Sequence, residues 1–166
     1  MLTPENYPII CGHEPIAANV VVATSDSVCL KDAKGVLIIV MESDIGNTDV
    51  VLTVNEATTA AGAGTALSVA NGQEFQIWQN HNTGVAGVAG TDVLTRAADG
   101  ITCTMVNDTT THGIIVCFYI SAALLSPGYS WVHLVASGGD ATSFMSVLYI
   151  LDGYRYQQAT PLTEIA

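Results

Sequence analysis

Apolar residues in this chain come in short runs, many of them β-branched, and clusters of Gly, Asp, Asn and Thr break every run. No segment keeps a 3.6-residue apolar period long enough for a packed helix. Short runs bounded by turn residues are the signature of strands. The spacing predicts strands over 19–23, 27–30, 35–42, 49–57, 74–79, 93–95, 100–105, 113–122, 130–136 and 143–151. Alternation within the runs agrees. Val50, Leu52, Val54 and Glu56 define one face of their strand, and Val51, Thr53 and Asn55 the other. Phe75, Ile77 and Gln79 likewise oppose Gln76 and Trp78. The run 35–41 is apolar on both faces, which predicts a central strand of a sandwich, covered on its outer side too. Asn71-Gly72, Asp99-Gly100, Ser126-Pro127-Gly128 and Ser137-Gly138-Gly139-Asp140 supply reversals.

Eight to ten antiparallel strands with long connections predict an all-β fold, an antiparallel β-sandwich of jelly-roll or Greek-key type. At 166 residues the chain reads as one domain, large enough to bury roughly 17,000 Å² on folding. Residues 1–18 contain Pro4, Pro8 and Pro15 and read as an extended N-terminal arm, since proline removes a ladder donor. The sandwich is expected over 19–156 and a C-terminal tail over 157–166. The Ala/Gly/Thr-rich segments 58–70 and 84–90 read as long loops, the first with a short helix over 65–69.

Charge removes several functional classes. The chain carries −11 with four cationic side chains, Lys31, Lys34, Arg96 and Arg155. Nucleic-acid binding needs several Lys or Arg per site, and an anionic membrane surface needs a basic patch, so both are excluded. The N-terminus lacks a basic region and an apolar core of signal-peptide type, and no apolar run reaches the ~20 residues that span a bilayer. A soluble protein made in a cytoplasm is expected. Cys11, Cys29, Cys103 and Cys117 form no CxxC pair and are expected to be reduced, with Cys29 and Cys117 acting as small core hydrophobes.

Motifs for chemistry are sparse. His13, His81, His112 and His133 show neither HxH nor HxxxH spacing, and Cys11-Gly12-His13 offers two ligands where a metal needs more. Asp44-Ile45-Gly46-Asn47-Thr48-Asp49 clusters oxygens as a calcium loop does, but these are also hairpin-turn residues, and the turn is the reading adopted. Gly128-Tyr129-Ser130-Trp131-Val132 lacks the second glycine of a nucleophile elbow. Gly62-Ala63-Gly64-Thr65-Ala66-Leu67 lacks the third glycine of a dinucleotide loop. Glu42, Glu56 and Glu74 lie at strand ends, where solvated carboxylates are ordinary. No catalytic residue, metal ligand or cofactor is assigned. Trp78, Trp131, Tyr129, Tyr149, Tyr154 and Tyr156 read as core or subunit interface, with a carbohydrate platform as the alternative.

Two segments carry a resemblance. One is 120–134, which runs Ile-Ser-Ala-Ala-Leu-Leu-Ser-Pro-Gly-Tyr-Ser-Trp-Val-His-Leu; the other is 144–156, which runs Phe-Met-Ser-Val-Leu-Tyr-Ile-Leu-Asp-Gly-Tyr-Arg-Tyr. With 26–40, the 49–57 strand and the 58–65 insert, they resemble the capsid decoration, or head-stabilising, proteins of tailed bacteriophages. The likeness extends loosely over 19–156 and leaves the Cys-Gly-His arm unmatched. It implies a non-enzymatic virion protein, made in the bacterial host cytoplasm and attached outside an icosahedral head. The implied partner is the major capsid protein, and the implied assembly a homotrimer. Leu2, Tyr7, Ile9, Ile10, Tyr154, Arg155 and Tyr156 are the expected contact residues. A carbohydrate- or receptor-binding sandwich of a virion fibre or tail is the alternative, and a jelly-roll enzyme with three polar groups converging in a deep pocket is a third possibility.

Overall fold

A computed structural model describes residues 7–17, 25–43, 48–80, 93–106 and 113–154. Two antiparallel sheets pack face to face. The first has six strands, in the order β1 (Ile9–Ala17), β11 (Phe144–Tyr154), β3 (Ala33–Ser43), β9 (Ile114–Ser121), β6 (Gln76–Asn80) and β7 (Thr95–Arg96). The second runs β2 (Val28–Cys29), β10 (Trp131–Gly138), β4 (Val50–Ala57), β5 (Thr65–Ala66). The far edge of β4 is shared: β5 pairs with Asn55 and Glu56, and β8 (Thr102–Met105) with Val50 to Thr53. From β1 to β4, and again from β9 to β11, the chain changes sheet at each step.

The predicted alternation sets the core. Val36, Ile38 and Val40 of β3 meet Val50, Leu52 and Val54 of β4 between the sheets, with Phe118, Leu134, Val147 and Tyr149 beside them. Phe75 and Phe118 pack edge to face, centroids 5.3 Å apart. β3 is central, flanked by β11 and β9, but its outer side is only partly covered: Leu37 and Ile39 are half-buried and Met41 is exposed.

Several expectations change. Residues 9–17, expected in a free arm, pair with β11 from Ile9↔Ile150 to Ala17↔Phe144. Proline did not forbid a strand; it confined the segment to a sheet edge, with register shifts between Cys11 and His13 and between His13 and Ile16. The helix expected over 65–69 is absent. Thr65 and Ala66 extend along β4, and one 3-10 turn follows at Val69–Asn71, started by the Ser68 hydroxyl and closed by Gly72 at φ +67°. Glu42 and Glu56 are buried, not solvated. Ser126 N–H (2.7 Å) and Gln73 Nε2 (3.1 Å) both donate to Glu56 Oε2, which makes an inward carboxylate tolerable. The strand expected over 19–23 and the loop over 84–90 lie outside the described residues, as does the tail 157–166.

Candidate functional sites

The sandwich presents two outer faces of opposite character. Strand register defines the face of the six-stranded sheet that points away from the core. One row across it reads Ile9, Ile150, Leu37, Tyr119, Gln76; the next reads Cys11, Leu148, Ile39, Cys117, Trp78, Arg96. A third reads Ser146, Met41, Ile115, Asn80. Ile9 and Phe144 are more than half exposed. Arg96 is the one cation in these rows. It stacks 5.7 Å from the Trp78 ring centroid and pairs with Asp99 at 2.7 Å.

At one end of this face Tyr7, Leu37, Trp78, Tyr119, Ile150 and Asp152 line a groove of about 330 Å³. Gly35 makes room for the Tyr119 ring, since a Cβ there would stand 2.8 Å from Tyr119 Oη. The Tyr119 hydroxyl donates to Asp152 Oδ2 at 2.7 Å. Burial, then the bond and charge of Asp152, push the phenol up to about 12. One oxygen of the groove's carboxylate is thus engaged, and the rest of the lining is mainly aromatic and aliphatic.

The expected contact residues divide. Tyr7 and Ile9 join this face. Ile10 turns the other way into the core at 8% exposure, because neighbouring residues of a strand face opposite sides. Tyr154 ends β11 opposite Ala33. Leu2, Arg155 and Tyr156 lie outside the described residues. Trp78, one of the aromatics read as core or subunit interface, lies on this outer face, and Tyr119, which the sequence does not single out, lies there too. Alternation sets Trp78 opposite Phe75 and Ile77 within its strand, but only the pairing of β6 with β9 puts it on one face with Tyr119.

The second outer face is the more polar of the two. Trp131, His133, Val135 and Ser137 of β10 stand beside Ala57, Asn55, Thr53 and Val51 of β4, with Thr102 and Thr104 beyond. A cleft of about 550 Å³ opens here, lined by Asp26, Ser27, Asn55 and His133 and walled by residues 60–64. His133 is 2% exposed, and its Nδ1 has no hydrogen-bond partner. Such an orphan costs about 1–3 kcal/mol, and burial lowers the imidazole's pKa and keeps it neutral.

Polar groups do converge in this cleft, the mark set for an enzyme. The base–orienter bond of a nucleophilic triad is missing, however, because no carboxylate meets Nδ1. The Ser25 hydroxyl is committed to Leu134 and Tyr149. Among the described residues no three His, Cys, Asp or Glu side chains gather as a metal site. Positions 44–47 of the calcium-like loop, and His81 and His112, fall outside them. All four cysteines are free. Cys103 and Cys117 are buried, and burial raises both thiols, Cys103 to about 11. Cys29 is half-buried.

No protein-family model, no curated protein and no solved structure matches this chain. The class that the fold defines is an all-β sandwich of two packed antiparallel sheets.

Proposed function

We propose that this chain is a non-enzymatic structural protein of a virion, a β-sandwich of jelly-roll type that binds the outside of an icosahedral phage head and stabilises it as a trimer. The observation that carries the reading is the apolar outer face of the six-stranded sheet. Large aliphatic and aromatic side chains line its rows, and an aromatic groove lies at one end. Contiguous apolar surface of this kind marks an interaction site. Aromatic pockets are where interface energy concentrates.

The strand order supports the jelly-roll assignment, with β1-β11-β3-β9 facing β2-β10-β4 and the β5/β8 edge. A rigid sandwich loses little conformational entropy on docking. It stabilises an assembled shell by binding that state and not the dissociated one. The resemblance of 120–134 and 144–156 to head-decoration proteins supplies the particular partner, the major capsid protein.

Light scattering at low and moderate salt tests the assembly. The expected mass is three times that of the monomer, falling to the monomer for Ile150→Asp. A wild-type monomer at every salt and concentration would count against a pre-formed trimer. An antibody to this chain should decorate intact heads from the source phage; heads that carry none overturn the virion assignment. The carbohydrate alternative gains three clustered aromatics from the groove, Tyr7, Trp78 and Tyr119, but one oxygen of Asp152 there is already engaged by Tyr119.

A further inference from the structure

His133 is the feature of the polar face that fold and docking leave unused. It stands opposite Asn55 on β10, nearly wholly buried, with Nδ1 unbonded. Native folds leave few buried polar atoms unpaired, and this one belongs to a residue that lines a cleft. The cleft, about 550 Å³, lies in the range of small-ligand sites, about 300–1,000 Å³. Its wall, Ala60-Ala61-Gly62-Ala63-Gly64, offers backbone groups unshielded by long side chains. Gly64 lies against the imidazole: a Cβ there would overlap Cε1 and stand 2.7 Å from Nε2. Residues 60–64 thus cover the Cε1–Nε2 edge of the ring, and a ligand reaches the imidazole only if they lift.

The lining selects the ligand. No Lys or Arg lines the cleft, Asp26 does, and the chain carries −11, so anions are repelled. A cation would find one carboxylate and no second. An apolar ligand would strand Asn55, Ser27 and His133. A neutral molecule with several hydroxyls satisfies each group: it donates to Asp26, bonds the imidazole and exchanges bonds with Asn55 and Ser27. We infer that the cleft over His133 binds a neutral polyhydroxylated ligand, a single sugar unit. The inference stands apart from the docking role. Whether a sister subunit or the shell covers the apolar face, the His133 cleft is on the opposite side of the sandwich.

The test is NMR of the His133 imidazole in the full chain, titrated separately with glucose, galactose, mannose and N-acetylglucosamine to about 50 mM, enough to fill a site with a Kd of about 1 mM. The expected result is saturable movement of the His133 resonances by at least one sugar. Asn55→Ala should weaken that binding at least about tenfold while its thermal midpoint stays near wild type. Silence with all four sugars overturns the inference. So do shifts that survive Asn55→Ala undiminished, or shifts confined to Trp78 and Tyr119, which would move sugar binding to the aromatic groove. Should His133→Phe fold, it must abolish the effect on neighbouring amides; should it not, Asn55→Ala decides alone. None of these outcomes bears on the trimer mass.

Discussion

Tyr149 spans the sandwich. Its ring leaves β11 on the inner face, and its hydroxyl reaches β10, where Leu134 N–H donates to it at 3.2 Å and it donates to Ser25 Oγ. Gly12 permits this. A Cβ at that bulged position would overlap the Tyr149 ring, with Cδ2 at 2.9 Å. The Cys-Gly-His segment thereby gains a packing role that its spacing did not reveal. Tyr149→Phe should cost about 1–2 kcal/mol, read as a shift in urea midpoint with unchanged slope, because it leaves Leu134 N–H one partner poorer. Gly12→Ala should cost about 1–3 kcal/mol by overpacking.

The same burial makes stability depend on pH at both ends. It raises Tyr149 from 10.0 to about 12. A raised acid stabilises fully below its unfolded value, so this contribution is intact well below pH 10 and is lost as pH rises from 10 through about 12. An absorbance titration of Tyr149→Phe against wild type should show one late-ionising phenol missing. His133 is shifted the other way. A lowered base stabilises above its unfolded value of 6.5, and that contribution is lost as pH falls through the folded value. His133→Phe should flatten the acid limb of the stability profile. Asp26 is the carboxylate lining that cleft, so Asp26→Asn belongs in the comparison.

At the level of elements, period-two alternation carried most of the information. Nine of the ten expected strands overlap observed ones, and the tenth, 19–23, falls outside the described residues. Where prediction and structure part, a nonlocal contact decided the outcome. Residues 9–17 became an edge strand because β11 offered a free ladder. Thr65 and Ala66 became strand because β4 had an open upper edge above β8. The sites were far less legible. Alternation puts His133 with Val135 and Asn55 with Thr53, but the pairing of β10 with β4, which brings the two together, lies almost eighty residues apart in sequence and leaves no local mark.

Glu56 illustrates the same limit. Its side chain joins β4 to the 122–126 segment through Ser126 N–H and to the 67–73 turn through Gln73, which also donates to Leu124 O at 3.0 Å. Glu56→Ala would take the acceptor from Ser126 N–H and leave Gln73 Nε2 only Leu124 O and Ser126 Oγ, at a cost of about 1–3 kcal/mol in chemical unfolding. Glu56→Gln keeps the shape and an acceptor and should recover at least half of that loss.

For the whole molecule, the arrangement of charge fixes what kind of association is possible. Each chain carries −11, yet the outer rows of the six-stranded sheet are almost free of charge, and their one cation is already paired with Asp99. A trimer would carry −33, three times −11. Contacts made through these rows would gain from apolar burial and lose to repulsion among acidic surfaces around them. Raising NaCl from about 10 mM to about 1 M shortens the Debye length from about 30 Å to about 3 Å, which screens the repulsion and leaves apolar contact intact. Association should therefore tighten with salt, seen as a trimer that persists to lower protein concentration in sedimentation or light scattering. Contacts built on ion pairs would respond with the opposite sign. Salt-induced dissociation of an existing trimer would remove the apolar face from the account of assembly, even with the trimer itself intact.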